Sequence, residues 1–295
     1  MEKAHPRIQL EKWTSKFTLE WFKEHVEIGL EGSPVRSIVD LCRIDEVRKY
    51  LSPLGRKVMV DIILWSTEFP KHPWLTKTGG VPHREAKLPW PKGKDGNPYT
   101  FVAQFCFIDS VDIVPKQLKG DLLLVFFKDP RSYVCENDDI YLEWSKIVLN
   151  EPIVASSCPQ DVFLVPQYSG VLCRFPEYPE NDDTFYDAQC KEPYHFAATE
   201  STKIGTEAFF IQDDPRTKEL QLLCCLDAFH PSDEWPFVNI SHVSKLKDGY
   251  DQIAKPSKNN RFEVEWQPFE LLFPGSCLYI LVKNSGEVTW THGIN

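Results

Sequence analysis

The sequence predicts an α+β fold: a strand-rich, internally duplicated sheet or pseudo-barrel with an N-terminal helical segment. Three observations predict it. Apolar residues recur at helical spacing near the start of the chain. After Pro73 the apolar runs shorten, fill with aromatic and β-branched residues, and are cut by proline. The order Lys-x-Gly, apolar strand, Gly and second apolar strand occurs twice, and neither copy is large enough to bury its strands alone. The expected organisation is a helical segment over 1–72, a main domain over 73–282 with halves at about 73–175 and 195–282, and a C-terminal tail over 283–295.

The first expected helix opens at Thr18, a suitable N-cap, carries Leu19, Phe22, Val26 and Leu30 on one face, and stops at Gly32. A second runs from Val35 to Tyr50 behind Ser33-Pro34, with Ile38, Leu41 and Cys42 on one face. Strands are expected over Phe101 to Ile108, Asp121 to Phe127, Lys146 to Leu149, Val162 to Val165, Val171 to Phe175, Ala208 to Ile211, Leu220 to Leu226 and Ser276 to Val282. Twenty-three prolines punctuate the chain and argue against long helices in its second part.

The duplication aligns Lys77-Thr78-Gly79 with Lys203-Ile204-Gly205. It also aligns the strand that leads to Asp109 with the strand ending at Asp227, and Gly120-Asp121-Leu122 with Gly275-Ser276-Cys277.

Composition narrows the function classes. The 42% hydrophobic and 26% charged content is that of a soluble globular chain. No apolar run approaches the roughly 20 residues of a spanning helix, and the first residues lack a signal-peptide core, so a cytoplasmic protein without membrane contact is expected. Nine cysteines, an odd number with no Cys-x-x-Cys pair, read as reduced and mostly buried thiols. The net charge is −10, and fourteen acidic against four basic residues between 129 and 200 carry that imbalance. Nucleic acid is therefore not an expected partner. The acidic stretch is either a solvated face or a surface that attracts a basic protein.

Several of these segments resemble the YwqG-like family, a domain of unknown function. The first block is Gly79-Gly80-Val81-Pro82, then Trp90-Pro91, Gly96 and Phe101-Val102-Ala103-Gln104, followed by the strand from Gly120 to Phe127. The second runs from Lys203-Ile204-Gly205 through Gln212-Asp213-Asp214-Pro215 to Asp227. The resemblance covers about 73–282. The chain departs from it where Gly205 is followed by Thr206-Glu207-Ala208 instead of a second Gly-Gly-x-Pro, and where Phe273-Pro274-Gly275-Ser276 replaces a Gly-Asp-x-Gly turn. The resemblance implies a mixed, strand-rich α+β fold with internal duplication, and no established reaction.

The candidate chemistry is sparse. Gly79-Gly80 suits a tight turn or close approach of the backbone to a ligand. No phosphate-binding or dinucleotide glycine loop is present, so no cofactor is expected. Gln104 and Gln212 are either structural braces or paired recognition groups, one from each half. Asp109 and Asp227 are either turn caps or an acid–base pair at a shared cleft. His230 and His242, near Asp227 and Asp233, and Cys190 with His195, close no ligand spacing, so no metal is expected. Trp90, Trp235 and Trp266 sit beside prolines, as core plugs or recognition anchors.

The preferred reading is a non-catalytic binding module. Its ligand would meet Gly79, Gly80, Trp90, Gln104, Asp109, Lys203, Gln212 and Asp227, with the lysines suited to a carboxylate-bearing ligand. A hydrolase using paired carboxylates or a Cys-His pair is the alternative, and an immunity-type inhibitor of a basic protein is a third.

Overall fold

A computed structural model describes residues 16–18, 56–66, 72–130, 137–147, 157–159, 161–163, 165, 167–178, 201–208, 210, 214–227 and 276–294. Eleven strands occur in chain order: β1 Lys16–Thr18, β2 Val58–Ser66, β3 Lys77–Thr78, β4 Thr100–Cys106, β5 Leu122–Phe127, β6 Ile140–Ser145, β7 Tyr168–Glu177, β8 Lys203–Ile204, β9 Leu220–Asp227, β10 Ser276–Lys283 and β11 Val288–Ile294. They form one sheet in the order β11-β10-β9-β8-β2-β7-β3-β4-β5-β6, antiparallel throughout, with β1 added parallel to β7.

The α+β expectation is therefore corrected. The described residues form strands and turns with no α-helix. The two expected helices fall outside the described residues, except that Thr18, expected as an N-cap, ends β1. Residues 58–66, taken into the helical segment, form the nine-residue β2 at the middle of the sheet. The physical reason lies in their composition: Val58, Val60, Ile62 and Ile63 are β-branched and suit a pleated surface buried against neighbours. Residues 288–294, placed in the tail, continue β10 through a turn into β11. Of the expected strands, the described parts of 146–149, 162–165 and 208–211 are not strand.

The sheet is nearly a closed barrel. Trp144 on edge strand β6 donates its indole N–H to the Gly286 carbonyl in the β10–β11 turn, 3.1 Å away. Side chains alternate across the strands. One face fills the interior with Val102, Ala103, Phe105, Leu123, Val125, Leu223, Cys224, Leu226, Leu278 and Ile280. On the outer face lie two smaller clusters, one built on Phe101, Leu122, Leu124 and Phe126, the other on Leu222, Cys277, Tyr279 and Leu281.

The registers reveal two copies of one five-strand unit, β2–β6 and β7–β11. Gln104 pairs with Leu124 as Cys225 pairs with Tyr279. Both copies carry a bulge at the same place, where Val102 and Leu223 are skipped in the pairing. Hydrogen bonds repeat as well. Gly79 N–H donates to Val102 O at 2.8 Å and Gly205 N–H to Leu223 O at 3.0 Å. Cys106 N–H donates to Thr76 Oγ1 at 3.0 Å and Asp227 N–H to Thr202 Oγ1 at 3.1 Å. Each unit lends its first strand to the other: β2 pairs with β8, and β7 pairs with β3. The two loaned strands pair with each other, and the Leu64–Val171 pair lies on the approximate twofold axis.

Candidate functional site

The duplication places two lysines at one equivalent position. Lys77 in β3 pairs with Gln104, and Lys203 in β8 pairs with Cys225, so both stand on the outer face. Two strands, β7 and β2, separate β3 from β8, which sets the lysines about 14 Å apart across the strands, and the register offsets them by a further four residues, Ile62 to Ser66, along β2. Both are buried. A buried ammonium is costly unless it is paired.

The two copies meet that cost differently. Lys203 Nζ donates to Glu177 Oε1 at 2.6 Å, and both side chains are almost wholly buried. Lys77 Nζ donates to the Val81 carbonyl at 2.6 Å and has no carboxylate partner among the described residues. Burial pulls the Lys77 amine from 10.5 down to about 8, with the Cys158 thiol a weaker opposing influence.

The turn after β3 makes this geometry. Gly79 and Gly80 both adopt positive φ, 52° and 68°, and turn the chain so that the Val81 carbonyl faces back to Lys77. Gly80 also lies under the Gln167 side-chain amide, since a Cβ there would fall 1.8 Å from Gln167 Oε1. Gln104 braces the whole turn. Its Nε2 donates to Pro73 O at 3.1 Å and Leu75 O at 2.8 Å, and its Oε1 accepts from His83 N–H at 2.8 Å. Next to it, His72 stacks on Trp74 at 4.5 Å, and Trp74 meets the edge of His83 at 5.7 Å. The buried Trp74 Nε1–H has no acceptor among the described residues.

Around this turn the remaining charges are spoken for. Arg84 clamps Glu143 with two 2.8 Å bonds and also donates to Leu88 O and Pro89 O, which ties the 84–89 loop to β6. The partly exposed Cys158 thiol is pushed up by burial, against the pull of the Arg84 and Lys77 charges, so it is protonated and a poor nucleophile. Inside the barrel, Asp61 accepts from Ser110 Oγ at 2.6 Å and from Arg174, which also donates to Asp112. Burial opposes the Arg174 charge, and Asp112 and Asp61 more than offset it, holding the group above its ordinary value.

The structure brings Gly79, Gly80 and Gln104 together at Lys77. Trp90 stands in the outer cluster of the same half, donating to Tyr99 O at 2.8 Å with its edge on Phe126. Lys203 and Asp227 belong to the second half. Asp227 ends β9, and its equivalent in β4 is Cys106 rather than Asp109, which lies in the turn beyond. Gln212 lies outside the described residues, and so does most of the acidic stretch 129–200. Gln104 has Cys225 as its equivalent. Sequence reading missed Arg84, Glu143, Glu177, Asp61 and Arg174 as a polar framework. Only Lys77, through the repeated Lys-x-Gly, carried a signal in the chain.

Among the described residues no group of His, Cys, Asp and Glu is placed to hold a metal ion, and no helix is long and apolar enough to cross a membrane. No curated protein matches the chain. A family model described as a domain of unknown function (DUF1963) matches residues 76–266, beginning at the Thr-Lys-x-Gly of the first copy and running through that of the second. This match spans about two thirds of the sequence and agrees with the YwqG-like resemblance, and the chain belongs to the DUF1963 family.

Proposed function

We propose that the chain is a non-catalytic binding module that recognises an anionic, carboxylate-bearing ligand at Lys77. One observation carries the reading. Of two equivalent buried lysines, Lys203 has a carboxylate from its own chain and Lys77 has, among the described residues, only a backbone carbonyl. A ligand carboxylate at Lys77 would supply the charge that Glu177 supplies to its twin. The Trp74 indole beside the same turn, without an acceptor among the described residues, fits an acceptor-bearing ligand too. A cytoplasmic setting accords with the free thiols of the described cysteines.

The test is an NMR titration of the Lys77 side chain against pH, with acetate and then glutamate as probes. A bound carboxylate returns the amine from about 8 toward 10.5. Lys77→Met abolishes that response and any thermal stabilisation by the probe. A Lys77 titration that neither probe moves, or probe binding that survives in Lys77→Met, overturns the reading.

A further inference from the structure

The amine of Lys77 is a nucleophile that simple pairing with a carboxylate leaves unused. Most lysines are held as ammonium ions by water or by a carboxylate. Lys203 is of that kind, with Glu177 Oε1 2.6 Å from its Nζ. Lys77 is 3% exposed, so water does little for its charge, and among the described residues its Nζ bonds only to the Val81 carbonyl. A lysine desolvated in this way is suited to condensation with carbonyl compounds. With the amine lowered to about 8, roughly a tenth of the Lys77 side chains are neutral at pH 7, about 300 times the share at an ordinary 10.5.

The turn after β3 leaves a short way in. Lys77 Nζ donates to the carbonyl of Val81, which is half-buried, and the neighbouring Gly80 is exposed. The amine therefore lies directly beneath surface backbone. Gly80 brings no side chain to thicken that cover. Its φ of 68° and the Gln167 amide, 1.8 Å from where a Cβ would stand, exclude one. The Val81 bond takes one Nζ hydrogen and fixes where the nitrogen sits.

Condensation balances at this position. Nζ attacks the carbonyl carbon, a C–N bond forms, and the carbonyl oxygen leaves as water with two of the three ammonium hydrogens. An ammonium and a carbonyl compound thus give an iminium ion and water, with no net proton. The iminium retains the positive charge and one N–H for the Val81 carbonyl. A carboxylate on the adjacent carbon, as in a 2-oxo acid, lies against that charge and supplies what Glu177 supplies to Lys203.

Building on the reading of Lys77 as a ligand site, we propose that its ligand is a small 2-oxo acid, held reversibly as an imine on Lys77 Nζ.

The full chain is incubated at pH 7 with pyruvate and sodium cyanoborohydride, which reduces the iminium to a stable secondary amine, and the adduct is located by peptide mapping. The expected result is a carboxyethyl group on Lys77, formed about tenfold faster or more than on Lys203 or on exposed lysines such as Lys87 and Lys116. Propanone, with the carbonyl and no carboxylate, labels Lys77 poorly. Acetate, with the carboxylate and no carbonyl, slows labelling by pyruvate. In Lys77→Met the fast labelling is gone. Labelling spread evenly over the lysines, Lys77 left unlabelled, or propanone labelling Lys77 as well as pyruvate overturns the proposal. Acetate moving the Lys77 titration while pyruvate leaves Lys77 unlabelled removes the imine and keeps carboxylate binding. A Lys77 that acetate does not move and pyruvate does not label removes both.

Discussion

Lys77 and Lys203 occupy the same position in two copies of one strand pattern, with matching bulges and matching hydrogen bonds around them. One copy has closed its site internally. Glu177 reaches Lys203 from the end of β7, and Cys225 fills the place of Gln104 with a thiol. The other copy keeps its amine on a backbone carbonyl, in a turn whose Gln104 amide and Arg84 guanidinium are already bonded and whose Trp74 indole N–H has no acceptor among the described residues. The shared frame shows that the lysine itself is part of the inherited turn. The counter-charge is what differs: Lys203 has a carboxylate from its own chain, and Lys77 has none among the described residues.

The sharpest way to break this comparison is to make the same substitution in both copies. Lys203→Met takes the Lys203 cation away from the buried Glu177 carboxylate. Removing one partner of a buried pair costs about 3–5 kcal/mol. In a domain of this size that lowers the melting temperature by about 10 °C, measurable by calorimetry or circular dichroism. A loss of under about 1 kcal/mol would mean that Lys203 is no more committed than Lys77.

The same change at Lys77 acts with the opposite sign. The fall from 10.5 to about 8 corresponds to about 3 kcal/mol spent on holding the buried charge at neutral pH. Lys77→Met removes that cost and gives up one bond to Val81 O, so it is neutral to stabilising by up to about 3 kcal/mol at pH 7. The pH dependence follows. Between pH 8 and 10.5 the unfolded chain still binds the Lys77 proton while the folded chain has released it, so stability rises with pH across that window. Denaturant melts of the wild type and Lys77→Met at pH 7, 8, 9 and 10.5 therefore converge as pH rises. Parallel curves would show that Lys77 is not held down by burial.

Much of the frame was legible in the chain because it rests on local pattern. The short apolar runs around Phe101, Leu122, Leu220 and Ser276 mark strands, and Lys-x-Gly marks the duplicated turn. β2 was misread because a short apolar segment broken by Asp61 does not separate strand from helix by period, and this one follows a stretch with helical spacing. β6 was missed because Glu143 among four aromatic or aliphatic residues, Ile140, Tyr141, Leu142 and Trp144, gives no clean alternation. The site was less legible still. Its distinction lies in Lys203 meeting Glu177, 26 residues earlier in the chain, and no spacing rule connects them. Asp109 looked equivalent to Asp227 because both follow an apolar strand. The alignment is fixed instead by the bulges at Val102 and Leu223, which place Cys106 opposite Leu122 as Asp227 stands opposite Cys277.

Putting the second copy's residue into the first gives the subtlest test. Gln104→Cys copies Cys225 into β4 and removes the amide that joins Pro73 O, Leu75 O and His83 N–H. A cysteine is too short to make those bonds, and leaving buried groups unsatisfied costs about 1–3 kcal/mol. Backbone strands β3 and β4 keep their pairing, so the loss concentrates in the 72–84 turn. Hydrogen exchange at the His83 amide should quicken while exchange within β4 and β5 holds. Because that turn is what buries Lys77, water entering it raises the Lys77 amine from about 8 toward 10.5. A variant that loses stability with the Lys77 titration unmoved would show that Gln104 supports the sheet alone. The lysine would then owe its burial to the outer cluster around Phe101 and Phe126, and the contrast between the halves would rest on packing.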